Sequence, residues 1–472
     1  MKKETFKNRI ALQGGAYSLV ITAIVLAILV AVNILVSALP KNVTQHDISS
    51  TKLYSVTSNT KVVVNALDQD VTIYWIVQSD KEDDVIENLL GKYESLSKHI
   101  KVVKKNPDIY PTFAEQYTSE TVQNNSLVVE CGDRSRFIGY DDIYLMEANM
   151  NEYSYDTSFD GEGAITSAID YVVNEEQPKI YLLEGHGEAE LPEIFREQME
   201  KENMELETFS LLTADAIPED ADAILIYGPS SDISEEEKGL LAEYVSNGGK
   251  LMVMAGPTEK GTLTNLYGIL EGYGVETVDG IVVDTDRGHY AFRTPFVLLP
   301  DLKSSKITDP LIEERYFAIM PVAQGLMVQD GEHVTELLTT SDIAYSKAAG
   351  YELDSYEKEE GDTDGPFALA VSVEAENGGQ MIWFASSHFL DEMYNAYSSG
   401  ANLDLAMNAM SFVIGENEAV AIRSKSLNYH YLTISDSTAS FLKLIMIGIC
   451  PLVYLGIGIC VTIGRRKRNE AK

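Results

Sequence analysis

Two α/β domains held between two membrane-crossing helices is the architecture this sequence predicts. Three observations predict it. Between residues 179 and 255 strand-like runs alternate with helix-like ones across short turns, the pattern of a mostly parallel, covered sheet. Residues 71–140 read β-α-β-α-β-β. Two long apolar stretches, Ala16 to Leu39 and Ala439 to Gly464, bracket both regions, and each exceeds the roughly 20 residues a membrane helix needs.

The termini orient the chain. MKKETFKNR precedes the first stretch and RRKRNEAK follows the second, and basic flanks stay cytoplasmic. Residues 1–15 and 465–472 are therefore expected in the cytoplasm, with residues 40–438 outside it in a two-pass plasma-membrane topology. A cleaved signal peptide is the alternative for the first stretch, because Val36-Ser37-Ala38 places small residues where a peptidase would cut. Its apolar run is longer than the usual 7–15 residues of such peptides.

Charge is segregated in the same way. The formal net charge is -37, and removing the +3 of residues 1–9 and the +4 of residues 465–472 leaves -44 for the rest. A body this acidic repels nucleic acid, which is excluded as a partner. Cys450 and Cys460 lie in the second apolar stretch, leaving Cys131 alone between the two. An internal disulfide or a cysteine metal cluster there is ruled out.

Residues 41–60 are polar and rich in Ser, Thr and Asn, an extended approach from the membrane within a segment of residues 40–70. Residues 71–77 (VTIYWIV) form a β-branched and aromatic strand. Residues 82–99 carry Val85, Leu89, Leu90, Tyr93 and Leu96 at amphipathic-helix spacing. A strand at 100–104, a short helix at 111–117 and a hairpin across Cys131-Gly132-Asp133 complete a thioredoxin-like domain over residues 71–160. No C-x-x-C occurs, so the scaffold has no redox motif.

The second domain, residues 161–430, opens with a helix at 161–174. Strands follow at 179–183, 223–227 and 250–255, with helices at 191–202 and 234–246 between them. Ser234 and Glu237 have the spacing of a capping box. A helix at 265–273 and a strand at 275–278 continue the alternation, whereas residues 285–360 read as scattered short strands. Residues 352–364 form an acidic, solvated loop. A hairpin at 368–375 and 380–385, a helix at 403–414 and an extended segment at 419–427 lead to the second apolar stretch.

Candidate ligand contacts lie in two turns. Glu184-Gly185-His186-Gly187-Glu188 follows a strand and precedes a helix, the crevice where ligands bind in α/β sheets. His186 and Glu188 suit a general acid–base pair or part of a metal site, or a glycine turn whose imidazole satisfies backbone groups. Ser386-Ser387-His388-Phe389-Leu390-Asp391 follows another strand, making Ser387 and His388 the second pair. Triads are built from residues distant in sequence, and no G-x-S-x-G elbow occurs. G-x-x-x-x-G-K-[ST] is also missing, so no ATPase motif is present. Lys443 is expected to snorkel to the interface, and Pro451, Gly456 and Gly458 suit helix–helix contact. No catalytic residue, metal site or cofactor is assigned.

Several stretches carry a family resemblance: residues 47–67 (DISSTKLYSVTSNTKVVVNAL), 180–188 (IYLLEGHGE), 244–257 (YVSNGGKLMVMAGP), 380–390 (QMIWFASSHFL) and 402–414 (NLDLAMNAMSFVI). With the proline-containing span and basic tail of residues 451–468, they make the chain resemble the GldG-type auxiliary component of ABC transporters. One departure is Ala385-Ser386-Ser387-His388, where that family more often reads like Gly-Asp-Ser-Asp. The resemblance implies a class I glutamine-amidotransferase-like α/β domain without the nucleophile, and a separately encoded permease and ATPase. The function expected is a non-catalytic, membrane-anchored auxiliary subunit whose outward-facing body binds an extracytoplasmic ligand. The rivals are an extracytoplasmic hydrolase or metal-dependent enzyme using His186 and Glu188, and an architectural cell-surface protein.

Overall fold

The computed structural model describes residues 20–33, 53, 55–149, 154–174, 176–214, 216–329, 333–415, 425–426, and helical positions 451, 456, 458, 459 and 463. Met1–Ser426 forms one unit and Leu427–Lys472 a second. Residues 20–33 are helical and exposed. Among the described residues no helix is long and apolar enough to cross a membrane. Most of Ala439 to Gly464, and both ends of Ala16 to Leu39, lie outside the described residues.

The first sheet has the order β2-β1-β3-β4, from β1 (Val71–Ile76), β2 (Ile100–Lys105), β3 (Ser126–Cys131) and β4 (Arg134–Ile138). β1 and β2 are parallel, while β3 runs antiparallel to both β1 and β4. The parallel pair is joined by the helix Asp84–Leu96, as a parallel connection requires a crossover. Asp83 starts this helix by accepting from the amides of Val85 and Ile86 at 2.9 and 3.1 Å. Ile86, Leu89, Leu90 and Tyr93 bury its apolar stripe. Where a short helix was expected at 111–117, a 3-10 turn covers Ala114–Gln116.

Two expectations for the flanks are corrected. The polar segment before residue 60 is not extended throughout, because Thr57 caps a helix Ser58–Asn65. Its carboxylate partner lies more than 100 residues away, at Glu162, beyond the reach of local pattern. The helix Gly161–Val173, read as the start of the second domain, packs against β3 and β4 of the first sheet. Between them runs the hairpin of β5 (Tyr144–Asn149) and β6 (Ser154–Phe159).

The second sheet is ten-stranded. Its parallel half runs β8 (Glu205–Phe209), β7 (Lys179–Leu183), β9 (Ala223–Tyr227), β10 (Lys250–Met254) and then the strand Gln380–Phe384. The strand Ala368–Glu374 joins Gln380–Phe384 antiparallel and carries the remaining antiparallel strands, with β11 (Val275–Val278) at that edge. Every residue of β9 is buried, as expected for a strand covered on both faces. Alternate side chains supply two cores. Leu225, Met252 and Phe384 meet the helices Ala401–Ile414 and Glu193–Lys201 on one face. Ile224, Val253 and Trp383 meet the helices Glu235–Ser246 and Thr264–Glu271 on the other.

β8 escapes the sequence pattern for a physical reason. At the sheet edge its residues are all exposed or half-buried, so no apolar run marks it. The acidic loop of residues 352–364 is likewise not all solvated. Lys347, whose side chain has no exposure, donates to Glu359 at 2.6 Å and sits 2.9 Å from Asp362, which is 3% exposed. The loop folds back because a buried ammonium needs paired carboxylates.

Candidate functional site

The carboxyl ends of β7, β9 and Gln380–Phe384 share one edge of the parallel half, since these strands run in the same direction. Both candidate turns leave from that edge. Between them lies the loop Gly228-Pro229-Ser230-Ser231, which follows β9.

The first turn is tight because its glycines are. Gly185 and Gly187 have φ of 129° and 68°, values L side chains rarely adopt. A Cβ on Gly187 would stand 2.3 Å from Ser230 Oγ. The loop after β9 closes on the turn through hydrogen bonds from Ser230 N and Ser231 N to His186 O, at 3.1 and 2.9 Å. Ala189 N then donates to Tyr227 O and Gly228 O at 3.1 and 3.0 Å.

Glu188 folds back on its own turn, accepting from Gly185 N at 2.9 Å and His186 N at 2.8 Å. Its other oxygen lies 3.2 Å from His186 Nδ1. The opposite ring nitrogen faces Glu237, at 3.3 Å from Oε2 and 3.1 Å from Oε1. Only the first has hydrogen-bond geometry, so the buried Oε1 accepts no hydrogen bond. The imidazole donates to one carboxylate when neutral and to both as imidazolium.

Glu237 joins this turn although the sequence marked it only as a helix cap. Its capping box with Ser234 is formed, through Ser234 N to Oε2 at 2.8 Å and Glu237 N to Ser234 Oγ at 3.2 Å. Burial pushes this carboxyl up, but the Ser234 hydrogen bonds and then the neighbouring His186 outweigh it, holding Glu237 below the ordinary glutamate value. The capping spacing is visible in the sequence, whereas the bond to His186 spans 51 positions and carries no sequence signal.

The second turn is differently placed. Ser386 is fully buried and donates to Pro321 O at 2.6 Å. Ser387 offers its carbonyl to Tyr227 OH at 3.1 Å, and a Cβ on Gly228 would come within 3.2 Å of Ser387 Oγ. His388 is half-exposed, with Nδ1 3.1 Å from Asp391 Oδ2. That hydrogen bond, against the opposing effect of burial, raises the imidazole above its ordinary pKa.

The two turns thus flank one loop, the first through the His186 carbonyl with Ser230 and Ser231, and the second through Ser387 beside Gly228. The arrangement divides their chemistry. His186, Glu188 and Glu237 have side chains 5%, 9% and 7% exposed, and a general base must reach its substrate's proton. They are placed to brace the edge. Ser387 and His388 are the candidates nearer solvent. Among the described residues no group of three or more His, Cys, Asp or Glu is placed to hold a metal ion. A cleft of about 480 Å³ lies at the other edge, where Asp222 precedes β9 and Lys250 opens β10, with Leu240, Glu243, Tyr244 and Asn247 in its wall.

Fold and edge define an α/β protein whose mixed sheet has a parallel half braced by glycine turns. Residues 177–409 match the family model described as the ABC-type uncharacterized transport system. Residues 50–144 match a family described as a domain of unknown function. No curated protein matches the chain. Among solved structures, the mmIFT52 N-terminal domain is 15% identical with a TM-score of 0.38, covering 52% of this chain and 99% of its own. PurLQS from Thermotoga maritima is 10% identical with a TM-score of 0.29, covering 50% and 99%. A protein from Thermoplasma acidophilum, described as belonging to a GMP synthase, is 9% identical with a TM-score of 0.30, covering 52% and 100%.

Proposed function

We propose that this chain is a membrane-anchored, non-catalytic auxiliary subunit of an ABC-type transport system, of the GldG type. In this reading residues 71–160, with the helix Gly161–Val173 packed on their sheet, are a thioredoxin-like scaffold, and the rest of residues 161–430 is an amidotransferase-like domain without its nucleophile. Both face the extracytoplasmic side, where the body binds a ligand or partner. A separate permease packs against the two anchors, and a separate ATPase hydrolyses nucleotide. The match of residues 177–409 to the transport-system family carries the proposal.

Two further features support it. The helix of residues 20–33 exposes apolar side chains along its length, with Val20 at 56%, Ile24 at 53% and Leu29 at 63%, a surface suited to lipid or to other membrane helices. The chain has no phosphate-cradling glycine loop, so energy must come from a partner. The experiment is purification of the tagged full chain from its native membrane in mild detergent. Co-purification of an ATPase and a multi-span permease is the expected result, and repeated absence of both would overturn the proposal. Protease protection in sealed vesicles checks the orientation, with the acidic body cut only from the extracytoplasmic side.

A further inference from the structure

The first turn of the helix Gly161–Val173 gathers contacts from four distant parts of the chain. Glu162, whose side chain is 2% exposed, accepts from Thr57 N at 2.5 Å and from Thr60 Oγ1 at 2.7 Å through one oxygen. Its other oxygen takes Lys425 Nζ at 2.8 Å. The same ammonium donates to Ser55 O at 2.6 Å. Tyr93 OH, from the helix Asp84–Leu96, donates to Glu162 O at 3.0 Å. Next to it, buried Asp160 pairs with Lys201 at the end of the helix Glu193–Lys201. Lys425 and Ser426 pair antiparallel with Phe159 and Ser158.

The local sequence is shaped for this convergence. A Cβ on Gly161 would meet Phe159 Cζ at 2.6 Å, and one on Gly163 would meet Asp160 Oδ1 at 2.8 Å. The glycines on either side of Glu162 let the turn lie this close to its neighbours. A buried ion pair is weak evidence for stability, but its best-attested use is to fix one arrangement among several. Ser55 and Lys425 stand 370 positions apart, on the segments that approach the two apolar stretches.

We propose that Glu162 and Lys425 form a clasp that holds the two ends of the body at one point and ties them to both of its domains. Loosening either end then loosens the other, so that a displacement entering through one end reaches both domains through the 160–163 turn. As a device for a protein of a transport system, the clasp rests on the anchored reading above. Its test does not, because it reads the coupling of the two ends directly.

The test is hydrogen exchange of the full chain in detergent, comparing wild type with Lys425→Met and Glu162→Gln. In Lys425→Met, residues 57–60 should exchange more than about tenfold faster although the substitution lies far away in sequence, since breaking a buried pair strands its partner. Faster exchange confined to residues 158–159 and 425–426 would overturn the clasp. Glu162→Gln removes the charge, keeps one acceptor oxygen for Thr57 and Thr60 and turns a donor toward Lys425, and should speed exchange at residues 425–426. Unchanged exchange there would also overturn it. If Lys425→Met fails to fold by circular dichroism, the Glu162→Gln result decides alone. In the double variant the increments should not add, as for one shared interaction.

Discussion

His186 Nε2 lies 3.3 Å from Glu237 Oε2, joining the turn after β7 to the first turn of the helix Glu235–Ser246. The same carboxylate oxygen accepts from Ser234 N at 2.8 Å. One group therefore caps a helix and braces the candidate edge. Because Glu237 is held below its ordinary value, its contribution to stability is present above the unfolded value of about 4.3 and is lost as pH falls through the folded value. Urea midpoints measured between pH 3 and pH 6 should show this acid loss in wild type and a smaller one in Glu237→Gln. Glu237→Ala, which removes the cap as well, should cost about 1–3 kcal/mol at neutral pH.

Gly187 is the tightest position of the first turn. With φ of 68° and a would-be Cβ 2.3 Å from Ser230 Oγ, Gly187→Ala should destabilise by about 1–3 kcal/mol through backbone strain and the clash. Adding Ser230→Ala removes the clash but not the strain, so thermal unfolding of the double variant should recover part of the loss. Full recovery would show that φ does not matter there.

The junction of the two domains should respond to pH near neutrality. Glu202 is pushed up to about 7 by burial, with Lys201 and Gln198 opposing, Asp170 adding to the rise and Arg136 opposing it. Across this junction Asn203 Nδ2 donates to Ser167 O at 2.9 Å and Asp170 Oδ2 at 3.2 Å. A raised carboxyl contributes fully below its unfolded value of about 4.3, and that contribution is lost as pH rises through about 7. Glu202→Gln should flatten the decline between pH 5 and pH 8 and gain up to about 3 kcal/mol at the alkaline end, read from denaturant midpoints. An unchanged slope would remove Glu202 as its cause.

His388 should titrate above an ordinary imidazole because Asp391 hydrogen-bonds to it. In Asp391→Asn, proton resonance titration should bring it back down. If His388 contacts a ligand at this half-exposed turn, ligand binding should shift its titration in wild type. His186→Ala should leave any hydrolytic activity of the purified chain unchanged, since its ring is 5% exposed. A hydrolase lost with that substitution would restore the enzymatic reading.

Elements with strong local signals were legible. The strands Lys179–Leu183 and Ala223–Tyr227 lie where their apolar runs place them, and Val275–Val278 where the alternation of elements does. Ser234 caps the helix its capping box announces. Glu205–Phe209 was hidden because an edge strand needs no apolar face. Ser58–Asn65 was hidden because polar residues before Thr60 look like a linker until Glu162 is placed beside them. His186 and Glu188 were recognisable as a pair through the glycines around them, and the structure adds the carboxylate that holds the ring from the other side.

The sequence by itself determined the alternation of strands and helices, the segregation of charge, the two apolar stretches and the turns that bear candidate residues. These follow from periodicity, composition and glycine, all local properties of the chain. Tertiary structure alone decided which buried ionisable groups meet: Glu237 with His186, Lys347 with Asp362, and Glu162 with Lys425. A charge is removed from water only where a partner compensates it, and partners 15 to 263 positions away are chosen by the fold.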